Sequence, residues 1–426
     1  MVLLIGSQSV ISITHKPLTV TKYNLDGNCD SPVLLSLPPI VNNSNGPPGS
    51  ISRGADAEES SDDDNVDNIG ENGAESNSNT AKSDGNVTCF ANEKRHVVSG
   101  GLSPSEKFLV LCDDHKQLIV YEVDSWKVMG AIKVERKCDH IIFNEKEDKF
   151  IVSDRSGWIY GYEINAFIDH SENKGKFLLG HNAIILDVKF SPGSRFLATC
   201  DRDEKIRISN FPNSYNIESY CLGHTEFVSC LGFIDDQTLV SGSGDGTLRV
   251  WEYIKGKELS CHNFKDDLEL NQKDDKIAPM EIHITTVDVI GTVVIVTFFN
   301  SPTFITYTYD KTTKSLVNLI KTKVEANILG SALNNCGGFL CFIEQPFSIA
   351  CFELSMYKGE VCLFEASHKL TTALLQNVKF VEEYIVERKQ LTNIGWLWKN
   401  SYNNQNVYLE RKKERQETQS KKLKSI

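Results

Sequence analysis

The chain has 426 residues, with 57 acidic and 45 basic side chains and a formal charge of −12. That length holds about two or three average domains or one large repeat architecture. The acidic balance argues against a free-standing nucleic-acid binder, because phosphate affinity comes from Lys and Arg displacing counterions.

The charge is uneven: −8 over residues 51–90, +5 over residues 411–426 and −9 elsewhere. At the N-terminus, MVLLIGSQSV has no basic flank and only a four-residue apolar run before Gly6, which predicts no signal peptide. Met1 to Thr14 reads as a weak pair of strands, so residues 1–25 are expected to begin the fold. Residues 26–88 are rich in Asn, Ser, Gly, Asp and Pro, with almost no apolar residues after Val41. Such a stretch buries too little surface to offset its chain entropy and is expected to be a disordered acidic insertion. Its run Asp62 to Glu75 lacks the glycine placement of an EF-hand loop, so it reads as solvated acid.

Residues 89–390 are organised by repetition. Phe108 opens FLVLCDDHKQLIVYE, and thirteen residues later stands Tyr121; Thr238 opens TLVSGSGDGTLRVWE and reaches Trp251 at the same step. Phe196 opens FLATCDRDEKIRISN with Ser209 there, Phe339 opens a unit reaching Phe352, and Phe150 opens one reaching Tyr162 with one residue deleted. The openings at 108, 150, 196 and 238 lie 42, 46 and 42 residues apart. Each unit is a strand, a polar turn and an alternating strand, without helical patterns between units. The period selects an all-β propeller with four strands per blade. Adding the weak units Met1–Thr14 and Ile284–Tyr309 gives seven blades; a pair of β-sandwiches is the competing architecture. The stretch Val287 to Phe299 is broken by Asp288, Gly291 and two threonines, short of the roughly 18 apolar residues of a membrane span. Residues 391–426 read as a basic tail, helical or disordered, without an apolar stripe to fix it to a core.

Chemistry is sparse. Ser241–Thr247 alternates glycines but has no following helix and no Lys, so it reads as a turn rather than a phosphate loop. No Rossmann fingerprint, no HxxxH and no GxSxG occurs. The twelve cysteines are scattered, none in CxxC, and are expected to pack as small hydrophobes in a reducing, intracellular compartment. The segment Asp201 to Ser209 places Arg202, Glu204, Lys205 and Arg207 on and after a turn. Mixed charges at that density can select a complementary partner; the plainer reading is solvated turn charges contributing roughly 0–1 kcal/mol.

Gly180-His181, Gly223-His224, Asp203, Asp245 and Trp251 resemble the repeat signature of WD40 proteins. The resemblance implies hydrogen-bonded networks inside the blades, complete as His224, Asp245 and Trp251, and partial as His181 and Asp203 with Ser209 replacing Trp. DRDEKIRIS, the linker NFPNSYNIESY and CLGHTEFVSCLGF further resemble the WD-repeat non-catalytic subunits of tRNA (guanine-N7-)-methyltransferase, the Wuho family. The likeness extends to SGDGTLRVWEY, the acidic insertion and the tail NVYLERKKERQE, and is expected over nearly the whole folded chain.

That resemblance implies a chain with no active site or cofactor of its own. It would form a heterodimer with a catalytic subunit that holds S-adenosylmethionine and makes N7-methylguanine at position 46 of tRNA. It assigns Arg207 a salt bridge to a partner glutamate, with Arg202, Glu204 and Lys205 on the same exposed segment. Arg411, Lys412, Lys413 and Arg415 suit RNA contact or nuclear import alike, giving an expected location in the nucleus with the cytoplasm as a second compartment. A general WD40 adaptor in chromatin or ubiquitin-ligase assemblies is the alternative.

Overall fold

The computed structural model describes residues 2–5, 9–15, 18–24, 33–35, 95–169, 175–269, 276–288, 290–333, 338–344, 347–357, 360–366, 375 and 394–398. Among them, seven four-stranded antiparallel sheets follow one another, each built from four consecutive strands. The first strands of successive blades pack side by side, giving the β-propeller that the 42-residue spacing predicts. The unit at Ile284–Tyr309, weak in sequence, forms full strands Pro279–Val287, Gly291–Phe298 and Thr303–Asp310.

Strand chemistry follows position in the blade. The second strands Phe108–Asp113, Phe196–Asp201, Thr238–Ser243 and Gly338–Ile343 are buried at every residue, because blades cover both faces of these sheets. Continuous apolar runs are therefore the expected sequence for them. The outermost strands Lys127–Lys133, Ile217–Cys221 and Lys257–Asn263 are mostly partly or fully exposed. Burying a large apolar side chain stabilises by roughly 1.5–3 kcal/mol, and a one-residue slip would turn each strand over. Register is therefore fixed by the inner strands: Leu109 stands opposite Tyr121, and Leu239 opposite Trp251.

Side chains also stitch the inner strands between blades. Leu231 N–H donates to Asp187 Oδ2 at 2.9 Å, Ser331 N–H donates to Glu281 Oε2 at 2.7 Å, and Ser229 Oγ donates to the Pro279 carbonyl at 2.7 Å. Each bond gives a partner to a backbone group that a sheet edge would leave open.

Two expected boundaries need correction. The first blade runs through Val2–Ile5, Ser9–His15, Leu18–Asn24 and Val33–Leu34, with Leu35 buried behind it. Its last strand therefore lies inside the segment 26–88 assigned to the insertion: PVLLSL is a short apolar run masked by its polar surroundings. The segment from 391 is not free of the core either. Ile394, Leu397 and Trp398 pack with Phe227 and Ala278. The acidic run Asp62–Glu75 and the basic cluster Arg411–Arg415 lie outside the described residues.

Blade contacts leave little room at one turn. Gly256 has φ +63°, and a Cβ there would stand 2.3 Å from the Tyr220 carbonyl oxygen of the preceding blade. Gly193 has φ +70° with nothing within 4 Å of an added Cβ. Gly256→Ala is expected to lower the melting temperature well beyond Gly193→Ala, which carries only the backbone cost of about 1–2 kcal/mol. Equal losses in thermal melts would contradict this packing.

Candidate functional site

Blades four and five hold the residues singled out from sequence. Blade four is Ile185–Phe190, Phe196–Asp201, Ile206–Asn210 and Ile217–Cys221. Blade five is Val228–Phe233, Thr238–Ser243, Thr247–Glu252 and Lys257–Asn263.

In blade five the network closes as expected, with one member added. His224 Nδ1 lies 2.9 Å from Asp245 Oδ2 and its Nε2 lies 2.8 Å from Ser241 Oγ, to which Trp251 Nε1–H donates at 2.8 Å. Asp245 also accepts the N–H groups of Thr225 and Thr247 and the Thr247 hydroxyl. Burial alone would raise its carboxyl, but the His224 hydrogen bond and charge, with Thr247 and Thr225, hold it well below the usual carboxylate range. A fully partnered buried carboxylate and imidazole serve the blade rather than chemistry.

Blade four differs from the expectation. His181 Nδ1 meets Asp201 Oδ2 at 2.8 Å, not Asp203, and its Nε2 meets Thr199 Oγ1 at 2.7 Å. Asp201 ends its strand and accepts the turn N–H groups of Asp203 and Lys205 through Oδ1. It thus performs alone what Ser243, which accepts the Asp245 N–H, and Asp245 divide between them in blade five. Asp203, aligned with Asp245 by spacing, is instead half exposed, 3.9 Å from Lys205 Nζ.

Arg207 is also not where its charge suggested. It is 8% exposed, on the third strand in register with Thr199 and Tyr220. Its Nε donates to Ser209 Oγ at 2.9 Å, its Nη2 to the Ser214 carbonyl at 2.8 Å and its Nη1 to the Gly180 carbonyl at 3.4 Å. Burial lowers its pKa, yet a guanidinium stays charged throughout the ordinary pH range. In blade five Arg249, at the matching position, bonds to Thr247 and Glu258. With Ser209 where blade five has Trp251, Arg207 bonds to that small hydroxyl and ties the third strand to Ser214 and to Gly180, the end of the preceding blade's last strand, Lys176–Gly180.

What the turn does present is Asp203, Glu204 and Lys205. Glu204 takes a left-handed backbone, φ +70°, and Lys205 is 46% exposed. Arg202 reaches away from them, donating to the Trp396 carbonyl at 2.8 Å and to the Leu397 carbonyl at 3.4 Å, its guanidinium 5.6 Å from the Trp396 ring. Sequence reading passed over this segment, although Ile394, Leu397 and Trp398 stand at i, i+3 and i+4 in a polar stretch.

Seven of the nine described cysteines are buried. Burial pushes the Cys221 thiol up to about 12, as a packing role requires. Among the described residues no group of three His, Cys, Asp or Glu could hold a metal, and no helix is long and apolar enough to cross a membrane.

Comparison with known proteins finds similarities over the same blades. Residues 165–338 match the family model described as the tRNA methyltransferase TRM82 WD40 domain. Three curated relatives are named tRNA (guanine-N(7)-)-methyltransferase non-catalytic subunits. Human WDR4 is 41% identical over 167 residues, 39% of this chain and 40% of the relative. Zebrafish (Danio rerio) wdr4 is 42% identical over 168 residues, 38% and 39% of the two chains. Drosophila melanogaster wuho is 37% identical over 164 residues, 38% of each. The chain thus spans about two fifths of the length of the curated relatives it matches, narrower than the near-complete likeness expected.

Among solved structures, a chain of the mitotic checkpoint complex superposes with TM-score 0.56 at 13% identity, covering 82% of this chain and 88% of that one. The RRP9 WD40 repeats give 0.54 at 12%, covering 80% and 86%. These show the fold alone. Over residues 165–338, which contain both histidine networks, Arg207 and the Asp201–Phe233 motif, the chain is similar to the tRNA methyltransferase TRM82 WD40 domain, in agreement with the resemblance carried by that motif.

Proposed function

We propose that this chain is the non-catalytic WD40 scaffold of a tRNA N7-guanine methyltransferase, binding and stabilising a separate catalytic subunit that modifies position 46 of tRNA. The observation that carries the reading is the match of residues 165–338 to the tRNA methyltransferase TRM82 WD40 domain, beside relatives of about 40% identity named non-catalytic subunits. It falls on the blades that display the Asp203–Lys205 turn and hold Arg207. On this reading the assembly is a heterodimer and S-adenosylmethionine belongs to the partner. Most phosphate contacts are the partner's as well, because a chain at −12 repels RNA. Arg411, Lys412, Lys413 and Arg415 then assist with RNA or carry the chain to the nucleus, with a cytoplasmic pool beside it. Arg202, Glu204 and Lys205 supply the docking edge, and Arg207 shapes it from within.

Co-purification with the catalytic subunit tests the reading. The wild type should form a stoichiometric complex, and Glu204→Lys with Lys205→Glu should weaken it without changing the melting temperature. A wild-type chain that fails to retain the catalytic subunit would sink the proposal.

A further inference from the structure

Trp396 sits oddly in its surroundings. Its neighbours Ile394, Leu397 and Trp398 are buried on the face where the first strands of blades five and six begin. Trp398 meets Phe227 edge to face at 5.1 Å, with Lys276 Nζ 5.7 Å from its ring. Trp396, between them, is 52% exposed. Arg202 holds it in that position through two backbone carbonyls and its own ring. An indole fixed at the surface by a cation–π contact loses little further freedom on binding. Trp and Arg are the side chains that most often carry interface energy.

We propose that Trp396 and Arg202 form, with the Asp203–Lys205 turn, one composite docking surface for the catalytic subunit. The inference rests on the functional reading above and extends its site from blade four to the C-terminal segment. The partner surface it fits is protein: an apolar pocket for the indole, bordered by charges of both signs. RNA is disfavoured here because the turn that follows Arg202 carries the carboxylates of Asp203 and Glu204, which repel phosphate. Arg202 is a positioning residue as well as a contact, since it sets where Trp396 stands.

The test measures affinity of the full chain for the purified catalytic subunit by titration calorimetry, using wild type, Trp396→Ala and Arg202→Ala. Trp396→Ala should bind about thirtyfold more weakly, the scale of a hot-spot residue, with an unchanged melting temperature. Arg202→Ala should weaken binding too and open a new proteolytic cleavage near residues 394–398. Wild-type binding with undiminished affinity in Trp396→Ala overturns the composite surface while leaving the functional reading intact. Loss of tRNA affinity by the Trp396→Ala complex, with subunit affinity unchanged, assigns the ring to RNA and overturns it equally. No binding by the wild type overturns both.

Discussion

Arg207→Glu is expected to destabilise the propeller by roughly 3–5 kcal/mol, the range for leaving an uncompensated charge buried, and to lose the partner as a consequence. The substitution would set a carboxylate against the Gly180 and Ser214 carbonyl oxygens that Arg207 now satisfies, in a site 8% exposed. Urea unfolding should show a lower midpoint for Arg207→Glu. Arg207→Lys should fall between it and wild type, because an ammonium keeps the charge but not the fork of donors. Reversing an acidic residue on the partner should not rescue the complex. An unchanged unfolding midpoint with such a rescue would show instead that Arg207 meets the partner directly.

The second large effect is expected at blade five. Trp251 is fully buried, so Trp251→Ala removes a large core side chain and the Nε1–H donor to Ser241, at a cost of about 3–5 kcal/mol. The same network gives acid sensitivity a definite sign. The Asp245 carboxyl is held below its ordinary value in the folded chain. Its contribution is therefore present above the unfolded pKa, about 3.9, and is lost as the pH falls below it through the lower folded value. Melting temperatures followed downward from pH 7 should show wild type losing its advantage over Asp245→Asn only below about pH 4. A constant difference across that range would remove Asp245 from the acid response.

Most of the architecture was legible because blade strands repeat a pattern dictated by burial. A second strand covered on both faces reads as an apolar run, and the third strand Thr247–Glu252 sets buried Leu248 and Val250 around partly exposed Arg249, so Phe108, Phe196 and Thr238 marked their units. Val33–Leu34 was hidden because two strand residues give no period to detect. Ile394, Leu397 and Trp398 do stand at a regular spacing, but three apolar residues in a basic stretch are a weak signal beside seven blades.

The networks show where spacing misleads. Aligning turns put Asp203 opposite Asp245, yet His181 bonds to Asp201, because an aspartate at the strand end reaches both the turn and the imidazole. Arg207 looked exposed from its place in a charged run. It sits on a strand whose neighbours are buried, and Ser209, lacking the indole bulk of Trp251, offers a hydroxyl for its guanidinium. Burial of an arginine depends on such vacated volume, and charge patterning along one chain does not report it.

On the proposed reading, this propeller completes a tRNA methyltransferase without performing the chemistry itself. Reconstitution with separately purified proteins, S-adenosylmethionine and unmodified tRNA tests it most directly, reading N7-methylguanine at position 46. No modification is expected from this chain alone, little from the catalytic subunit alone and strong modification from the two together. Methylation by this chain alone, or equal methylation by the catalytic subunit with and without it, would contradict the scaffold role.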